Sequence, residues 1–255
     1  MMRITETVKH LIIINVLLWL TTVILGMKAN IDLNNILALH FPENESFGFW
    51  QPITSMFMHS VASPAHLLFN MIGLWMFGSA LEERWGKIKF LSFYMITGVG
   101  AGLVHTLVNY YGVYSNIGVL VEAGFNQTEI LSVLKEGKYI ISWESLLTPS
   151  QFTQLMSSFN SHAVGASGAL YGVLVAFGML YPNMELMMMF IPIPIKAKYF
   201  IPGLLVIDFI GGITGGLSLF GGGNIAHFAH LGGALFGFLL MLYFNKTQFN
   251  KNRWN

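Results

Sequence analysis

Polar side chains of the types found in hydrolytic sites interrupt the long apolar stretches of this 255-residue chain: His66, Asn70, Ser167, His227 and His230. A serine hydroxyl is a weak nucleophile until a neighbouring base takes its proton, and we expect His230 to be that base. His66 and Asn70 stand four residues apart, so both project from one face of a helix. Together with the backbone N–H of Ser167, they are donors of the kind that stabilises negative charge on a substrate carbonyl oxygen. The set predicts hydrolysis of a peptide bond through an acyl-enzyme.

The composition is that of a protein embedded in a membrane. Hydrophobic residues make up 54% of the chain, charged residues make up 10%, and the mean hydropathy is +0.61, whereas an ordinary soluble domain has about 25% charged residues. The net charge of +1 gives no case for a nucleic-acid partner. The absence of cysteine excludes thiolate catalysis and cysteine-ligated metals. The lipid bilayer is therefore the expected surrounding of this chain.

Six membrane-spanning helices are predicted from the apolar runs, each near the length of about 20 residues that a hydrocarbon core of about 30 Å requires. The predicted spans are Leu11–Gly26, Pro64–Leu81, Phe90–Tyr111, Ala163–Tyr181, Phe200–Leu219 and Ile225–Phe244. The fold class is thus an all-α, polytopic six-helix bundle, with one membrane domain over residues 1–255. No small-residue cleavage site follows the first span, so we expect a retained helix and not a signal peptide.

Lysine and arginine cluster at one end of these spans, which predicts the orientation of the chain. The cluster comprises Arg3, Lys9, Arg84, Lys87, Lys89, Lys196, Lys198, Lys246, Lys251 and Arg253, against Lys28, Lys135 and Lys138 at the other end. Cytoplasmic loops carry an excess of lysine and arginine, so both termini are predicted to be cytoplasmic, in a bacterial-type inner membrane. The second, fourth and sixth spans then run inward, and Ser167, His230 and His66 are expected at one depth near their external ends.

The fourth span opens on the small-residue sequence GASGALYG, residues 165–172. A helix from Ser167 to Tyr181 is about 22 Å long at 1.5 Å per residue, which is short of a core of about 30 Å. Its first turn is therefore predicted to lie below the membrane surface, enclosed by other helices. Tyr171, one turn below the serine, is expected to support the ring of His230. The residues that would permit close approach are Gly168, Ala169 and Gly172 in this span and Gly233 and Gly237 in the sixth.

Other titratable residues compete for a role in this site. His227 is the alternative base, one turn nearer the surface, and His230 is preferred because of its spacing to Gly233. Asp208 is predicted to lie about 16 Å below the external end of the fifth span, well below His230, as a hydrogen-bonded structural group. This placement predicts a Ser–His dyad. Local or structural hydrogen bonds are expected of the remaining histidines of interest, His59, His105 and His162.

One long connection separates the third and fourth spans. Residues 112–162 are predicted to form an external insertion that holds two surface helices. Asn126 is the expected start of the first helix and Gly137 its end, and the Thr148–Gln151 capping box is expected to start the second. The sequence leaves open whether this insertion recruits substrates, covers the site or packs on the surface.

Three shorter connections have distinct predicted conformations. The IPIPIK sequence, Ile191–Lys196, is predicted to be an interfacial turn, because alternating prolines prevent a helix. Phe47–Val61 has mixed polarity and is expected to lie in the membrane interface. The flexible backbone expected of Gly221–Gly223 makes this loop a candidate lid over the site. Substrate is expected to enter laterally beside the fifth span, and water is expected to reach Ser167 from outside.

Four motifs resemble those of the rhomboid family of intramembrane serine proteases. GASGALYG contains a GxSG nucleophile motif that begins at Gly165, and AHLGGALFG is similar to the family's AHxxGxxxG motif. FWQPITSMFMHSVASPAHLLFN resembles the first external loop leading into the second helix. LEERWG resembles an ExR element, here Glu82 and Arg84.

The resemblance implies a function and a set of roles. Ser167 would be the nucleophile and His230 the base, with Tyr171 beneath the histidine and His66 and Asn70 as oxyanion partners. The family cleaves transmembrane segments of other membrane proteins near small or helix-breaking residues. The resemblance implies that it does so without a metal ion or ATP.

Two departures and two alternatives accompany this resemblance. Where the family often has Trp-Arg, this chain has Trp50-Gln51, which removes a guanidinium that would make several hydrogen bonds. The insertion at 112–162 is also longer than the family's usual link. A catalytically silent rhomboid-like protein that binds membrane segments is one alternative, and retention of Ser167 and His230 together argues against it. A small-solute transporter is the other, and the lack of an internal repeat argues against that.

Overall fold

The computed structural model of the protein describes residues 3–188, 191–214 and 227–251. The candidate lid, Gly221–Gly223, lies outside the described residues. So do the predicted end of the fifth span, Leu219, and the predicted start of the sixth, Ile225. The helices, in chain order, are α1 (Glu6–Ala29), α2 (Asn34–Leu37), α3 (Gln51–Thr54), α4 (Pro64–Gly73), α5 (Ser79–Trp85), α6 (Lys87–Glu122), α7 (Gln127–Lys135), α8 (Trp143–Leu146), α9 (Pro149–Asn160), α10 (Ser167–Leu180), α11 (Ala197–Thr214) and α12 (His227–Lys251). A 3-10 turn, Ser55–Phe57, follows α3, and a π-helical turn, Leu74–Gly78, joins α4 to α5.

Six apolar helices correspond to the six predicted spans. Five of them are long and apolar enough to cross a membrane: Glu6–Ala29, Pro64–Trp85, Lys87–Glu122, Ala197–Thr214 and His227–Lys246. The sixth, α10, has 14 residues, which is about 21 Å at 1.5 Å per residue. The all-α bundle is confirmed, and α10 begins at the serine and is as short as its sequence predicted.

The short helix α10 lies at the centre of the bundle, in contact with α6, α11 and α12. Every residue from Gly168 to Phe177 is buried. A Cβ atom added to Gly172 would lie 2.6 Å from the Cβ of Thr97 in α6, and one added to Gly237 of α12 would lie 2.6 Å from the Cα of Gly172. Since these separations exclude any side chain larger than hydrogen, the small residues are what allows the three helices to pack this closely.

The N-terminus of α1 is held by the LEERWG sequence at the end of α5. The carboxylate of Glu82, itself 5% exposed, accepts hydrogen bonds from the backbone N–H of Thr7 at 2.9 Å and of Val8 at 3.0 Å. The first N–H groups of a helix have no partner within the helix, and a carboxylate both satisfies them and complements the helix dipole. Glu82 thereby fixes the start of α1 against α5.

The third span is longer than predicted. It was expected to end at Tyr111, but α6 continues to Glu122. Three residues of the extension, Val113, Ile117 and Leu120, are buried, and their spacing of four and three keeps them on one helix face. The prediction stopped where the continuous apolar run stopped, whereas the helix continues as an amphipathic segment with a core of its own.

That second core is formed by α7, α8 and α9 packing on the extended end of α6. Its buried residues are Phe41, Val113, Ile117, Leu120, Ile130, Leu134, Trp143, Leu147, Leu155 and Phe159. The helix boundaries are those expected. Asn126 accepts from the N–H of Thr128 at 2.8 Å at the start of α7, Gly137 follows α7 with a φ of +69°, and Thr148 with Gln151 forms the capping box of α9. The first residues of the predicted insertion, 112–122, therefore belong to α6, and the surface helices follow them.

The IPIPIK sequence is a β-strand, and the predicted turn is wrong. Strand β2 (Ile191–Lys196) pairs antiparallel with β1 (Glu185–Met188), and Glu185 lies opposite Lys196. Alternating prolines prevent a helix but not an extended strand. In a ribbon of two strands, each strand is an edge where a missing N–H can face away from the partner. The ribbon carries the chain from α10 to α11.

Candidate active site

The hydroxyl of Ser167 and the imidazole of His230 meet in a hydrogen bond. Their Oγ and Nε2 atoms are 2.8 Å apart, although 63 residues separate them in the chain. The bond joins the first residue of α10 to the fourth residue of α12. The sequence predicted this meeting, and the structure has it at a distance suited to proton transfer.

Backbone hydrogen bonds from the segment before α10 to the chain that precedes α4 fix the position of Ser167. Ala163 and Leu39 exchange two backbone hydrogen bonds of 2.9 Å, and the N–H of Gly165 donates to the carbonyl of Ser55 at 3.0 Å. Gly165 has a φ of +127°, a conformation that non-glycine residues rarely adopt. A Cβ there would also lie 2.9 Å from Cε1 of the His66 ring. Gly165 is thus required both by its backbone and by the histidine beside it.

The close contact of α12 with α10 determines the position of His230. A Cβ added to Gly233, one turn after His230, would overlap the carbonyl oxygen of Gly168. The hydroxyl oxygen of Thr97 in α6 also lies 3.4 Å from the carbonyl oxygen of Ala169, so α6 packs directly against the first turn of α10. Glycine at 233 is therefore what allows the imidazole on α12 to reach the serine.

Tyr171 lies under the imidazole, where the sequence predicted it. The two rings are stacked, with centroids 4.2 Å apart and an angle of 10° between their planes. The Tyr171 hydroxyl donates to Oδ2 of Asp208. The tyrosine therefore restricts tilting of the His230 ring and at the same time touches a third titratable residue.

The prediction that Asp208 lies well below His230 is wrong. Its Oδ1 is 3.1 Å from Nδ1 of His230, on the ring edge away from the serine. The prediction counted depth from the expected span ends Leu219 and Ile225, which lie outside the described residues. The contact between Oδ1 of Asp208 and Nδ1 of His230 shows that the two residues lie at the same level. The signal that could have found this contact was the acidic residue itself, because a carboxylate within a span is costly without a nearby partner.

His227, the alternative base, also contacts Asp208. Its Nδ1 is 2.7 Å from the same oxygen, Oδ1. The structure thus brings His230 to the serine and turns His227 to the carboxylate. His227 is 9% exposed and Asp208 5% exposed, so this cluster is almost completely enclosed by protein.

The predicted oxyanion partners both lie on α4, and His66 is the one that faces the segment before Ser167. The His66 ring packs against Gly165: a Cβ added to Gly165 would lie 2.9 Å from Cε1 of His66 and 3.6 Å from Oγ of Ser167. The Asn70 side chain is 4% exposed, and its amide donates to the backbone carbonyl of His66 at 2.9 Å. An amide group has a second N–H, so this bond leaves one donor on Asn70 for a substrate oxygen.

Two further histidines lie near the site. His59 is completely buried, with its ring centroid 5.2 Å from that of His66. Burial, reinforced by the neighbouring His66, lowers the pKa of His59 to about 3, so this ring is neutral at physiological pH. His105 hydrogen-bonds Asn109 at 3.1 Å, in line with a structural role, and it also lines a cavity of about 40 Å³ beside Ser167. That volume is sufficient for a water molecule.

Gln51, which stands where the rhomboid family often has arginine, anchors the segment between α2 and α3. Gln51 is fully buried, and its Nε2 donates to the carbonyls of Ser46 at 2.7 Å and Ile36 at 3.2 Å. Its Oε1 accepts from the N–H of His40 at 3.1 Å. A neutral side chain therefore makes three hydrogen bonds here, and the sequence alone did not indicate that it could.

Comparisons with known proteins agree with the motifs. The family model of the rhomboid domain matches residues 46–124 and 113–247. The chain is similar to the rhomboid protease AarA of Providencia stuartii, at 26% identity over 200 residues, which cover 76% of this chain and 55% of that protein. It is also similar to the chloroplastic rhomboid-like protein 11 of Arabidopsis thaliana, at 29% identity over 188 residues, 64% of this chain and 65% of the relative. A mitochondrial rhomboid protein of Schizosaccharomyces pombe is 26% identical over 206 residues, 76% of this chain and 50% of that one. The chain thus spans between half and two thirds of the length of these relatives.

Proposed function

This chain belongs to the rhomboid family and is an integral membrane protein, and from that premise we propose that it is an intramembrane serine endopeptidase. Its substrates would be transmembrane segments of other membrane proteins, cut in or near the bilayer. The observation that most supports this proposal is the 2.8 Å contact between Ser167 Oγ and His230 Nε2. A serine hydroxyl held against an imidazole nitrogen, part-buried in a helix bundle, is the arrangement expected of a nucleophile and its base.

In the first half of the proposed reaction, Ser167 Oγ attacks the carbonyl carbon of the scissile bond, and its proton passes to His230 Nε2. The resulting tetrahedral intermediate carries a negative charge on the former carbonyl oxygen. Collapse of this intermediate breaks the C–N bond, and the proton on Nε2 passes to the departing nitrogen. The products of this half are the released amine fragment and an acyl ester on Ser167.

The negative charge of the intermediate needs hydrogen-bond donors, and three are proposed. They are the backbone N–H of Ser167, the second amide N–H of Asn70 and the ring of His66. The first N–H groups of α10 have no partner within the helix, so they are available to an oxygen at the serine. In a site of low dielectric constant, the loss of one such donor costs about 3 kcal/mol of transition-state stabilisation.

In the second half, a water molecule attacks the acyl ester. His230 Nε2 accepts a proton from this water and returns it to Ser167 Oγ as the ester bond breaks, which releases the acid fragment. The cavity of about 40 Å³ beside Ser167 offers a position from which the water could approach. The charge distribution supports an orientation with the termini cytoplasmic and this cavity towards the outside of a bacterial-type inner membrane.

The proposal is tested by reconstituting the purified protein in liposomes with a fluorescently labelled transmembrane peptide. We expect time-dependent cleavage, and we expect Ser167→Ala to reduce it to the background rate. Ser150→Ala serves as the matched control, since Ser150 is an exposed serine of α9, and should leave the rate unchanged. Cleavage by Ser167→Ala at the wild-type rate would contradict the proposal. Binding of the peptide by the wild-type protein without cleavage would instead identify the silent binding protein, and solute flux would identify the transporter.

A further inference from the structure

Asp208 is surrounded by hydrogen-bond donors from two other helices. The Tyr171 hydroxyl of α10 contacts its Oδ2, while Nδ1 of His227 and Nδ1 of His230, both from α12, contact its Oδ1 at 2.7 and 3.1 Å. The side chain is 5% exposed. A buried charged carboxylate is costly unless it is hydrogen-bonded, and here both oxygens are engaged.

The contact with Asp208 determines which nitrogen of His230 carries the proton. An ionised carboxylate only accepts hydrogen bonds, so the 3.1 Å contact requires a proton on Nδ1. In a neutral imidazole the other nitrogen then has a free lone pair. That nitrogen is Nε2, which faces Ser167 Oγ at 2.8 Å. The carboxylate thereby selects the tautomer that can accept the serine proton.

The neighbours of Asp208 hold its carboxylate in one orientation. Tyr171 engages Oδ2 and also stacks on His230, while His227 shares Oδ1 with His230. The carboxylate therefore stays aligned with Nδ1 while the imidazole takes up and gives back a proton. A fixed negative charge on that side also stabilises the imidazolium ion that forms during the reaction.

We propose that Asp208 is a positioning residue of the reaction: it orients His230 and fixes its tautomer, so that the site works as a Ser–His–Asp arrangement. Tyr171 and His227 hold its carboxylate, and Tyr171 also stacks on the His230 ring directly. This inference rests on the proposed peptidase function and extends it from a pair of residues to a connected set on α10, α11 and α12.

The kinetic test is Asp208→Asn, which keeps the size of the side chain and removes its charge. We expect kcat to fall about 100-fold or more with KM within twofold, because in a related hydrolytic arrangement loss of this charge costs up to about 10⁴-fold. Asp32→Asn is the matched control, since Asp32 is the only other aspartate of the chain, and its kcat should not change. In a His230→Ala background, Asp208→Asn should change the residual rate by less than twofold, because both residues act in one step. A kcat for Asp208→Asn within threefold of wild type overturns the proposal, whereas absence of cleavage by the wild-type protein overturns the proposed function instead.

A second measurement needs no variant at position 208. In the wild-type protein labelled with ¹⁵N-histidine, NMR reports which ring nitrogen of each neutral histidine carries the proton, and comparison with His230→Gln identifies the signals of His230. We expect the proton on Nδ1 and none on Nε2. A proton on Nε2 overturns the proposal, whether or not Asp208→Asn folds and whether or not the protein cleaves a peptide.

Discussion

A single glycine separates the serine from the histidine of α4. At Gly165, both the positive φ of +127° and the His66 ring at 2.9 Å exclude a side chain. We predict that Gly165→Ala lowers the free energy of unfolding by about 1–3 kcal/mol and lowers kcat at least tenfold, because relief of the overlap would move His66 or Ser167. Gly118→Ala in α6 is the control, since nothing lies within 4 Å of its Cβ, and it should keep the wild-type rate. Unfolding in denaturant and peptide cleavage measure the two effects. An unchanged kcat for Gly165→Ala would show that the position of His66 does not matter to the reaction.

His59 predicts how stability depends on pH. Burial lowers its pKa to about 3 in the folded protein from an ordinary value of 6.5. Between these two values the unfolded chain binds a proton that the folded protein does not, so stability is complete above pH 6.5 and decreases as the pH falls towards 3. One such group contributes a slope of up to about 1.4 kcal/mol per pH unit. We predict that His59→Gln reduces the slope of the unfolding free energy between pH 6.5 and 4.5 by up to this amount. Equal slopes for the two proteins would contradict the prediction.

Among the helices, the contact of α10 with α12 determines whether the two reacting groups meet. Gly233 leaves no space for a methyl group against the carbonyl of Gly168. We predict that Gly233→Ala separates the helices, costs about 1–3 kcal/mol of stability and lowers kcat more than KM. The control is Gly203→Ala in α11, where the added Cβ meets nothing within 4 Å. Retention of wild-type kcat by Gly233→Ala would mean that the helices can repack without moving His230.

The sequence correctly predicted the location of helices and residues that is set by local sequence patterns. The apolar runs located six helices, the GxSG motif located the start of α10 at Ser167, and small residues indicated which helices pack closely. The capping residues Asn126 and Thr148 predicted two helix starts correctly, because a cap depends on a few neighbouring residues.

The errors concern features set by distant contacts. The level of Asp208 relative to His230 depends on how α11 lies against α12, which the residues around Asp208 do not encode. The end of α6 is extended by a core to which α7, α8 and α9 contribute. The IPIPIK strand needs β1 as its partner, which proline content does not reveal.

In the molecule as a whole, the helices α7, α8 and α9 pack on the end of α6 at the second core, and the lysines and arginines cluster at the opposite ends of the spans. This asymmetry predicts that the second core faces the outside and the LEERWG end of α5 faces the cytoplasm. The chain has no cysteine, so single cysteines report sidedness directly.

We predict that a membrane-impermeant maleimide applied to intact bacterial cells labels Ser150→Cys in α9 but not Glu83→Cys in α5. Both positions are exposed, so both should react after the cells are permeabilised, which controls for reactivity. Labelling of position 83 but not of position 150 in intact cells would reverse the proposed orientation.

The whole account depends on activation of one hydroxyl by one imidazole, and the most direct measurement is the reaction of the protein with a fluorophosphonate. Attack by a serine oxygen forms a P–O bond and releases fluoride, so peptide mass spectrometry identifies the modified residue without any knowledge of the natural substrate. We predict modification at Ser167 in the wild-type protein and a rate at least 100-fold lower in His230→Ala, the loss expected when a serine has no base. Modification of Ser167 at the same rate in both proteins, or of a different serine alone, would contradict the account.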